Sequence, residues 1–204
     1  VHPQQWPDDL DYADKRVVVI GSGATAMTLV PAMAATAAHV TMLQRSPTYV
    51  AAGPDVDVIA NSLRKVLPDS VAYDITRWKN TKLQQFMYKR MRSNPDKAKN
   101  LLIGRVRKSL GPDYDVDTHF TPSYAPWDQR LCLVPNGDLF EAIKAGTVSV
   151  VTDRIATFTE TGIELESGDH LEADIIVTAT GLEMVTLGEV DFAVDGEPVD
   201  FAHT

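Results

Sequence analysis

The sequence has very little cysteine: Cys132 is the only one among its 204 residues. A disulfide within the chain and a C-x-x-C redox centre each need two cysteines, so both are excluded, and we expect Cys132 to be a buried structural thiol. No apolar run approaches the roughly 20 residues that a membrane-spanning helix requires, and the start of the chain has no apolar signal region. Together these features predict a cytoplasmic location.

Acidic residues outnumber basic ones, giving a net charge of −9, but the two signs are unevenly distributed. Residues 77–108 hold eleven Lys or Arg and one acid, a local charge of +10, whereas the rest of the chain carries −19. A basic block of this kind suits an anionic partner. It lacks short, dense Lys/Arg runs, so we expect no nucleic-acid partner and favour a solvated helical face or contact with an acidic protein surface. Peripheral membrane contact stays open, because an apolar face is available from Phe86, Met87, Met91, Leu101 and Leu102.

A β-branched run over residues 17–20 breaks directly into a glycine-rich turn. A short apolar run flanked by charge is typical of a parallel strand buried on both faces. The G-x-G-x-x-A motif that follows is typical of the turn that brings a dinucleotide pyrophosphate to a helix N-terminus. Its first glycine allows the tight turn, its second the approach of the phosphates, and its alanine the packing of helix on strand. We therefore predict a dinucleotide site that contains Gly21, Ser22, Gly23, Ala24, Thr25 and Ala26.

The end of the second predicted strand, residues 39–43, indicates which dinucleotide is bound. NAD sites usually carry an acid here, about 20 residues after the glycines, and that acid binds the ribose 2′-hydroxyl. This chain has Gln44, Arg45 and Ser46 instead, with no acid within several residues. A carboxylate would repel a 2′-phosphate, whereas Arg45 can bind it through charge-assisted hydrogen bonds and Ser46 can donate its hydroxyl. The sequence therefore predicts NADPH, and the same reasoning disfavours S-adenosylmethionine.

The remaining pattern predicts an α/β fold, namely a Rossmann-like, three-layer NAD(P)-binding domain with a parallel sheet, a small antiparallel β-meander and a helical insertion. Helices are expected over about 24–35, 56–67, 70–92, 95–110 and 139–145, with a loop over 111–128. Further strands are expected over 148–151, 155–159, 162–166, 170–172 and 175–179, and a hairpin over 192–199. We divide the chain into an entry segment 1–14, a binding domain 15–185 with its insertion at about 52–128, and a tail 186–204. No metal site is predicted.

Four stretches of the sequence resemble one enzyme family. They are residues 2–7 (HPQQWP), 21–26 (GSGATA), 127–132 (WDQRLC) and 179–181 (ATG). In this order and spacing they resemble the NADPH-binding domain of class B flavoprotein monooxygenases, the Baeyer–Villiger type, and within it the mycobacterial ethionamide-activating group. The family fingerprint reads F-x-G-x-x-x-H-x-x-x-W-[P/D], and its second half is matched by His2, Trp6 and Pro7.

The resemblance implies roles for residues outside the glycine motif. Arg130 matches an arginine that stabilises the anionic peroxyflavin and positions the nicotinamide, a task that suits a permanently charged guanidinium. Gln129 stands where many relatives carry a lysine that helps to hold the 2′-phosphate, so more of the selectivity falls to Arg45. Thr180 and Gly181 end the last parallel strand beside the cofactor.

The resemblance also implies that the chain is one domain of a longer enzyme. In the family a separate domain binds FAD and its segments flank the NADPH domain, so 1–14 would be an interdomain linker and 186–204 would return toward the FAD domain of the same parent chain. The parent enzyme would use NADPH, FAD and O₂ to insert oxygen into a ketone or to oxidise a sulfur centre of a small organic substrate. The isolated chain would be inactive and would bind no FAD.

Two alternatives remain open at this stage. The chain could come from another two-dinucleotide flavin reductase, such as a pyridine nucleotide–disulfide oxidoreductase, although His2, Trp6 and Arg130 do not belong to that pattern. It could also be a non-enzymatic nucleotide-binding module that acts through the basic helical surface of residues 77–108. A short-chain dehydrogenase is disfavoured, because the sequence has no Tyr-x-x-x-Lys pair.

Overall fold

The computed structural model describes residues 1–184, 188 and 190–199. The strands are β1 (Arg16–Ile20), β2 (His39–Gln44), β3 (Tyr49–Gly53), β4 (Leu131–Pro135), β5 (Val148–Thr152), β6 (Ile155–Thr159), β7 (Gly162–Leu165), β8 (His170–Glu172), β9 (Ile175–Thr178), β10 (Phe192–Val194) and β11 (Glu197–Val199). The helices are α1 (Ala24–Met33), α2 (Val58–Val66), α3 (Asp69–Ser93), α4 (Pro95–Leu110), α5 (Val116–Phe120) and α6 (Asp138–Lys144), with a 3₁₀ turn at Pro3–Gln5.

Four parallel strands form the central sheet in the order β5-β2-β1-β9. In the middle of the sheet, Val19 lies opposite Met42 on one side and Val177 on the other. All three side chains are 0% exposed, as expected of strands buried on both faces. The chain passes from β1 to β2 on one side, whereas β9 joins β1 on the other. Helix α1 therefore begins where the strand order reverses, the usual place for a ligand in such sheets.

Alternation of side chains along β1 divides the core into two halves. Val17 and Val19 belong to a cluster that contains side chains of α1, α4 and α6. Val18 faces the other way and packs with Leu43 of β2 and Ile163 of β7. The molecule thus has three layers: helices, the parallel sheet, and the antiparallel meander β6-β7-β8. The predicted fold class is confirmed.

Helix α1 is shorter than the predicted span of 24–35. Pro31 lies inside it, and because proline has no N–H, the carbonyl of Met27 receives no helical hydrogen bond from that position. The helix ends at Met33, two residues after the proline, and residues 34–36 continue as a turn. The proline therefore marks the approach to the helix end.

Three elements differ from the sequence-based expectation. Strands β3 and β4, which the sequence analysis did not predict, pair in parallel with Tyr49 opposite Leu131 and form a two-stranded sheet apart from the central one. Helix α5 lies within the predicted loop 111–128. It begins after Asp115, whose side chain accepts a hydrogen bond from the Thr118 backbone N–H at 3.0 Å. Helices α2 to α5 all lie between β3 and β4 in the chain.

Asp57 joins the first two helices of this helical part. Its Oδ1 accepts from the Ala60 N–H at 3.0 Å and caps α2, while its Oδ2 pairs with Lys79 Nζ of α3 at 2.7 Å. The hydrogen bond from Lys79, followed by the one from Ala60, lowers the pKa of Asp57 to about 2.

No helix in the described part of the chain is long and apolar enough to cross a membrane.

The tail contains a small hairpin, in which β10 and β11 pair antiparallel with Ala193 opposite Pro198. This matches the hairpin predicted over 192–199. The predicted domain end at 185 and parts of the predicted tail segment 186–204 fall on residues 185–187, 189 and 200–204, which lie outside the described residues.

Candidate dinucleotide-binding cleft

A cleft of about 690 Å³ runs along the carboxyl edge of the central sheet. Parallel strands bring all their carboxyl ends to one edge, so the segments that follow β1, β2, β5 and β9 meet there. Its volume is in the range of pockets that bind small organic ligands. It is lined by Ile20, Gly21, Ser22, Gly23, Ala24, Thr25, Leu43, Arg45, Ser46, Arg130, Asp153, Arg154, Ile155, Glu166, Ala179, Thr180 and Gly181.

Gly21 makes the turn out of β1. Its φ is +126°, and a Cβ placed there would lie only 2.4 Å from the carbonyl oxygen of Ala179, so no other residue fits without a shift of backbone. Its N–H donates to the Leu43 carbonyl at 2.8 Å and ties the turn to β2. The turn is thus held between the two neighbouring strands, with no space for a side chain.

The N-terminus of α1 opens onto the cleft without a side-chain cap. The N-cap residue is Gly23, no side chain among the described residues caps the first-turn amides, and the first turn contains no acid. Unpaired N–H groups and the positive end of the helix dipole together favour an anion. A cap from Ser, Thr or Asp would occupy these donors, and its absence leaves them for a ligand.

The other members of the motif divide between the cleft and the core. Ala24 and Thr25 line the cleft, whereas Ala26 is 0% exposed and lies in the core beneath α1. Ser22 also lines the cleft, but its hydroxyl is buried and pairs with Thr48 Oγ1 at 3.0 Å. That bond fastens the glycine turn to the segment after β2. Of the six predicted residues, five therefore reach the cleft and Ala26 does not.

Arg45 and Ser46 are exposed on the cleft wall at the end of β2. Gln44, directly before them, is turned away: it is 2% exposed, and its Nε2 donates to the His119 carbonyl at 2.8 Å and to Thr152 Oγ1 at 2.9 Å. Arg45 forms no ion pair with any described residue. Its charge is therefore free for a ligand.

Arg130 reaches into the cleft just before β4. Its guanidinium lies over Gly23, with Nη1 3.7 Å from where a Cβ on that glycine would be. It has no ion pair within the described part of the chain, so a permanent positive charge stands beside the open N-terminus of α1. Gln129, its neighbour, is exposed and does not line the cleft.

The segment before Arg130 is fastened to the C-terminal end of α3. Trp127 has a φ of +71°, donates its Nε1–H to Met91 Sδ at 3.0 Å, and packs edge-to-face on Tyr88 with ring centroids 5.5 Å apart. Asp128 forms an ion pair with Arg92. These contacts fix the backbone two residues ahead of the Arg130 side chain.

Three charged residues in the cleft were missed by the sequence analysis. Asp153 and Arg154 follow β5, and Glu166 follows β7. All three are distant from Arg45 along the chain: Asp153 and Arg154 come from the strand next to β2, and Glu166 comes from the meander. The available signal was position: Asp153 and Arg154 directly follow a predicted buried strand. The Asp153 carboxylate accepts from Ser167 and from the Arg154 N–H, and these bonds lower its pKa.

No family model matches the chain, but curated relatives match it along its whole length. Over 205 residues it is 54% identical to the FAD-containing monooxygenase EthA of Mycobacterium tuberculosis, covering 100% of this chain and 42% of that protein. Over 201 residues it is 53% identical to "Probable FAD-binding monooxygenase AlmA" of Acinetobacter baylyi, covering 98% of this chain and 40% of that protein. The chain is therefore similar, over its whole length, to one part of these FAD-containing monooxygenases.

The chain spans about 40% of the length of these monooxygenases. Among solved structures, an oxidised steroid monooxygenase bound to NADP aligns with a TM-score of 0.67, covering 89% of this chain and 41% of that one at 22% identity. At this identity the likeness shows the fold. It supports the three-layer architecture described above.

The segment with His2 lies against the loop after β9. His2 Nδ1 accepts a hydrogen bond from the Gln4 backbone N–H at 3.2 Å, so Nε2 carries the proton and donates to the Gly181 carbonyl at 3.0 Å. Gln4 also bonds the backbone of Glu183 in both directions, at 3.0 and 2.6 Å. The structure thus brings His2 to the loop in which Thr180 and Gly181 line the cleft.

Other residues of interest lie apart from the cleft. Trp6 is half-buried and packs edge-to-face on Tyr12, with ring centroids 6.4 Å apart, and Pro7 is exposed.

Cys132 is buried, and this burial raises the pKa of its thiol, although the charge of Arg130 acts in the opposite direction. A thiol held protonated is a poor nucleophile. The described residues include no group of three His, Cys, Asp or Glu side chains placed to hold a metal.

Proposed function

We propose that this chain is the NADPH-binding part of an FAD-dependent monooxygenase and that it presents the nicotinamide to a flavin held outside the chain. The observation that carries the proposal is the uncapped N-terminus of α1, which opens onto one cleft together with Arg45, Ser46 and Arg130. NADPH supplies a hydride to the flavin when it is bound. The residues of this chain bind and orient it.

The first turn of α1 fits the pyrophosphate. Its backbone N–H groups are unbonded by side chains, and a Cβ at Gly23 would project into the cleft within 3.7 Å of Arg130. The missing side chain lets phosphate oxygens come up to the backbone. Thr25, in the same turn, lines the cleft and offers a hydroxyl donor.

Arg45 and Ser46 fit the 2′-phosphate of NADPH. Both lie at the end of β2, next to the strand that delivers the pyrophosphate, where the adenosine ribose of a dinucleotide is held. The nearest side chain in sequence, Gln44, is committed to Thr152 and His119 and leaves this position to Arg45. A guanidinium binds two phosphate oxygens at once, which makes it the main source of preference for NADPH.

Arg130 is proposed as the catalytic residue. It stands in the cleft beside the glycine turn, and its guanidinium is unpaired within the described chain. There it can hold the dinucleotide close to the flavin and stabilise negative charge that develops during oxygen transfer, because it never loses its proton. Thr180 and Gly181 would contact the cofactor from the opposite wall, and Gln129 would do so only after a change of its position.

The flavin and the oxygen chemistry belong to the longer protein. Relatives more than 50% identical to this chain are named for FAD, and the chain spans about 40% of their length. We therefore propose that FAD is bound by residues outside this chain and that segments 1–14 and 186–204 link the two parts. O₂ and a small organic ketone or sulfur compound are the proposed co-substrates.

The test uses the protein that carries this chain at its full length, purified with FAD. NADPH added without oxygen should bleach the flavin absorbance, and readmission of air with a ketone or thioether should yield oxygenated product. Arg130→Ala should lower product formation by roughly 100-fold or more, the usual effect of removing a group that stabilises developing charge. Its melting temperature should be unchanged, and Arg105→Ala, an exposed arginine of α4, serves as the control. Unchanged product formation in Arg130→Ala would show that this residue has no catalytic role.

A stripe on α3 is proposed to contact the FAD-binding remainder of the protein. Residues three and four apart share one helix face, and the exposed face of α3 presents Val71, Ile75, Trp78, Lys82, Phe86 and Lys89. Trp78 is 66% exposed and Phe86 is 63% exposed. Aromatic side chains so exposed indicate a partner surface, and the uncovered 60% or so of the relatives' length can supply it.

A combined experiment separates this contact from peripheral membrane binding. In the full-length protein, the double substitution Trp78→Ser and Phe86→Ser should lower the melting temperature, because it removes apolar contacts with the remainder of the protein. Neither the unaltered protein nor the double variant should sediment with phosphatidylglycerol vesicles. Sedimentation of the unaltered protein alone would instead support membrane contact.

We also propose a cytoplasmic location, for which recovery of the full-length protein in the cytosolic fraction of cells is the test.

A further inference from the structure

Arg154 and Arg45 follow neighbouring strands at the carboxyl edge of the sheet. Strands β2 and β5 pair in parallel with Gln44 opposite Thr152, the last residue of each. The register continues past the strands, because the Asp153 N–H donates to the Gln44 carbonyl at 2.9 Å. Arg45 and Ser46 follow one strand end, Asp153 and Arg154 follow the neighbouring one, and all four line the cleft.

The backbone of Arg154 is fixed on both sides. Its N–H donates to Asp153 Oδ1 at 2.6 Å, and its carbonyl accepts from the Glu166 N–H at 2.9 Å. Asp153 is held in turn, because its Oδ2 accepts from the Ser167 N–H at 3.3 Å. The long side chain of Arg154 thus extends from a fixed point at the cleft wall.

The charge of Arg154 is not neutralised by its neighbours. It forms no ion pair with any described residue, and the Asp153 carboxylate is occupied by two backbone amides. Glu166 is the remaining acid that lines the cleft. Asp153 keeps its charge, so the two acids that line the cleft offset two of its three arginines, Arg45, Arg130 and Arg154, and Arg154 therefore supplies the excess of positive charge that a phosphate requires.

We propose that Arg154 is a second ligand of the NADPH 2′-phosphate, acting with Arg45 from the adjacent strand. The inference rests on the proposed function. Two guanidinium groups that follow neighbouring strands, together with the Ser46 hydroxyl, can bind the three outer oxygens of a phosphate monoester. Arg154 is a specificity residue in this role, because NADH lacks the group that it binds.

The test measures dissociation constants for NADPH and NADH in the full-length FAD-containing protein, from the concentration dependence of flavin reduction without oxygen. Arg154→Ala should raise the constant for NADPH by about 10- to 100-fold, as for a lost hydrogen bond to a charged group, and should leave that for NADH within about twofold. Arg154→Lys should recover part of the loss. Arg105→Ala, the same change on the exposed face of α4, should alter neither constant.

The possible results distinguish an error in the assignment of Arg154 from an error in the proposed function. If Arg154→Ala weakens NADPH and NADH equally, the side chain contacts the adenine or ribose and the phosphate assignment is wrong. If it weakens neither, with an unchanged melting temperature, Arg154 is not a ligand. If the unaltered protein fails to prefer NADPH over NADH, the proposed function itself fails. Competition by adenosine 2′,5′-bisphosphate, strong in the unaltered protein and weak in Arg154→Ala, supplies a second readout that does not depend on hydride transfer.

Discussion

Gly21 and Gly23 belong to one motif but face different constraints. A Cβ on Gly21 would strike the Ala179 carbonyl oxygen at 2.4 Å with φ at +126°, whereas the nearest atom to a Cβ on Gly23 would belong to the flexible Arg130 side chain, at 3.7 Å. The first glycine is thus required by the fold. The second keeps space for the ligand.

We predict that alanine at Gly21 lowers the stability of the fold, whereas alanine at Gly23 weakens the binding of NADPH. Gly21→Ala should lower the free energy of unfolding by about 2–5 kcal/mol, from backbone strain and overpacking. Gly23→Ala should change it by less than about 1 kcal/mol while raising the dissociation constant for NADPH at least tenfold. Chemical denaturation and cofactor titration of both variants check this. Equal loss of stability in the two would contradict the assignment.

Glu166 is expected to weaken NADPH binding. It lines the cleft next to Arg154, to whose carbonyl its N–H donates at 2.9 Å, and a carboxylate near a bound phosphate costs roughly 0.5–1 kcal/mol through partly solvated repulsion. Glu166→Gln should therefore lower the dissociation constant for NADPH by about two- to fivefold and leave that for NADH almost unchanged. Glu164→Gln, at an exposed position of β7 outside the cleft, is the matched control. A gain for both dinucleotides, or for the control, would argue against this placement.

At the scale of elements, an ion pair fastens the start of β1 to the segment before β9. Asp174 accepts from the backbone N–H of Arg16 at 2.8 Å and from its guanidinium at 2.9 Å, and Glu172 pairs with the same arginine. The hydrogen bonds from Arg16 lower the pKa of Asp174 to about 2. Because its pKa is depressed in the folded state, Asp174 stabilises the fold fully above its unfolded pKa of about 4.

This stabilisation should disappear as the pH falls from about 4 to 2. We predict that Asp174→Asn lowers the melting temperature at pH 6 and flattens its fall below pH 4. Asp113→Asn, an exposed residue without an ion pair to another described residue, should leave both unchanged. Melting curves between pH 2 and 7 give the answer. A pH profile of Asp174→Asn that follows the unaltered protein would contradict the role of this pair.

Elements with a strong local pattern could be predicted from the sequence, and those stabilised by distant contacts could not. Runs such as Val17 to Ile20 are β-branched, and they form the central sheet. Strand β3 reads Tyr-Val-Ala-Ala-Gly, a weak strand pattern, and it exists because it pairs with β4, about 80 residues away. Helix α5 has five residues, too few for a helical period to be visible.

At the scale of the whole molecule, the same distinction applies to the cleft. Gly21, Gly23 and Arg45 could be located from the sequence because the motif and the strand end lie close together in the chain. Asp153, Arg154 and Glu166 come to the same cleft through strand order, which one sequence does not give. Sequence order also could not show that Gln129 lies outside the cleft while Arg130 lies within it.

NADPH and FAD are proposed to bind to different parts of the full-length protein, and this predicts which of them the chain alone binds. Residues 1–204 expressed by themselves should bind NADPH but no FAD, because the cleft described here is the one assigned to the nicotinamide cofactor. The purified chain should be colourless, without flavin absorbance. A yellow protein that retains FAD after gel filtration would show that this chain also binds the flavin.

The central claim, that this cleft selects NADPH through the 2′-phosphate, is tested most directly by the NADH-to-NADPH ratio of dissociation constants in the full-length protein and in Arg45→Ala. Arg45 lies at the end of β2 with no ion pair to a described residue. Arg45→Ala should weaken NADPH binding by about 10- to 100-fold and NADH binding by no more than about twofold. The ratio of the NADH to the NADPH dissociation constant should therefore fall by at least fivefold. Equal weakening of both dinucleotides, or no change in either, would contradict the account.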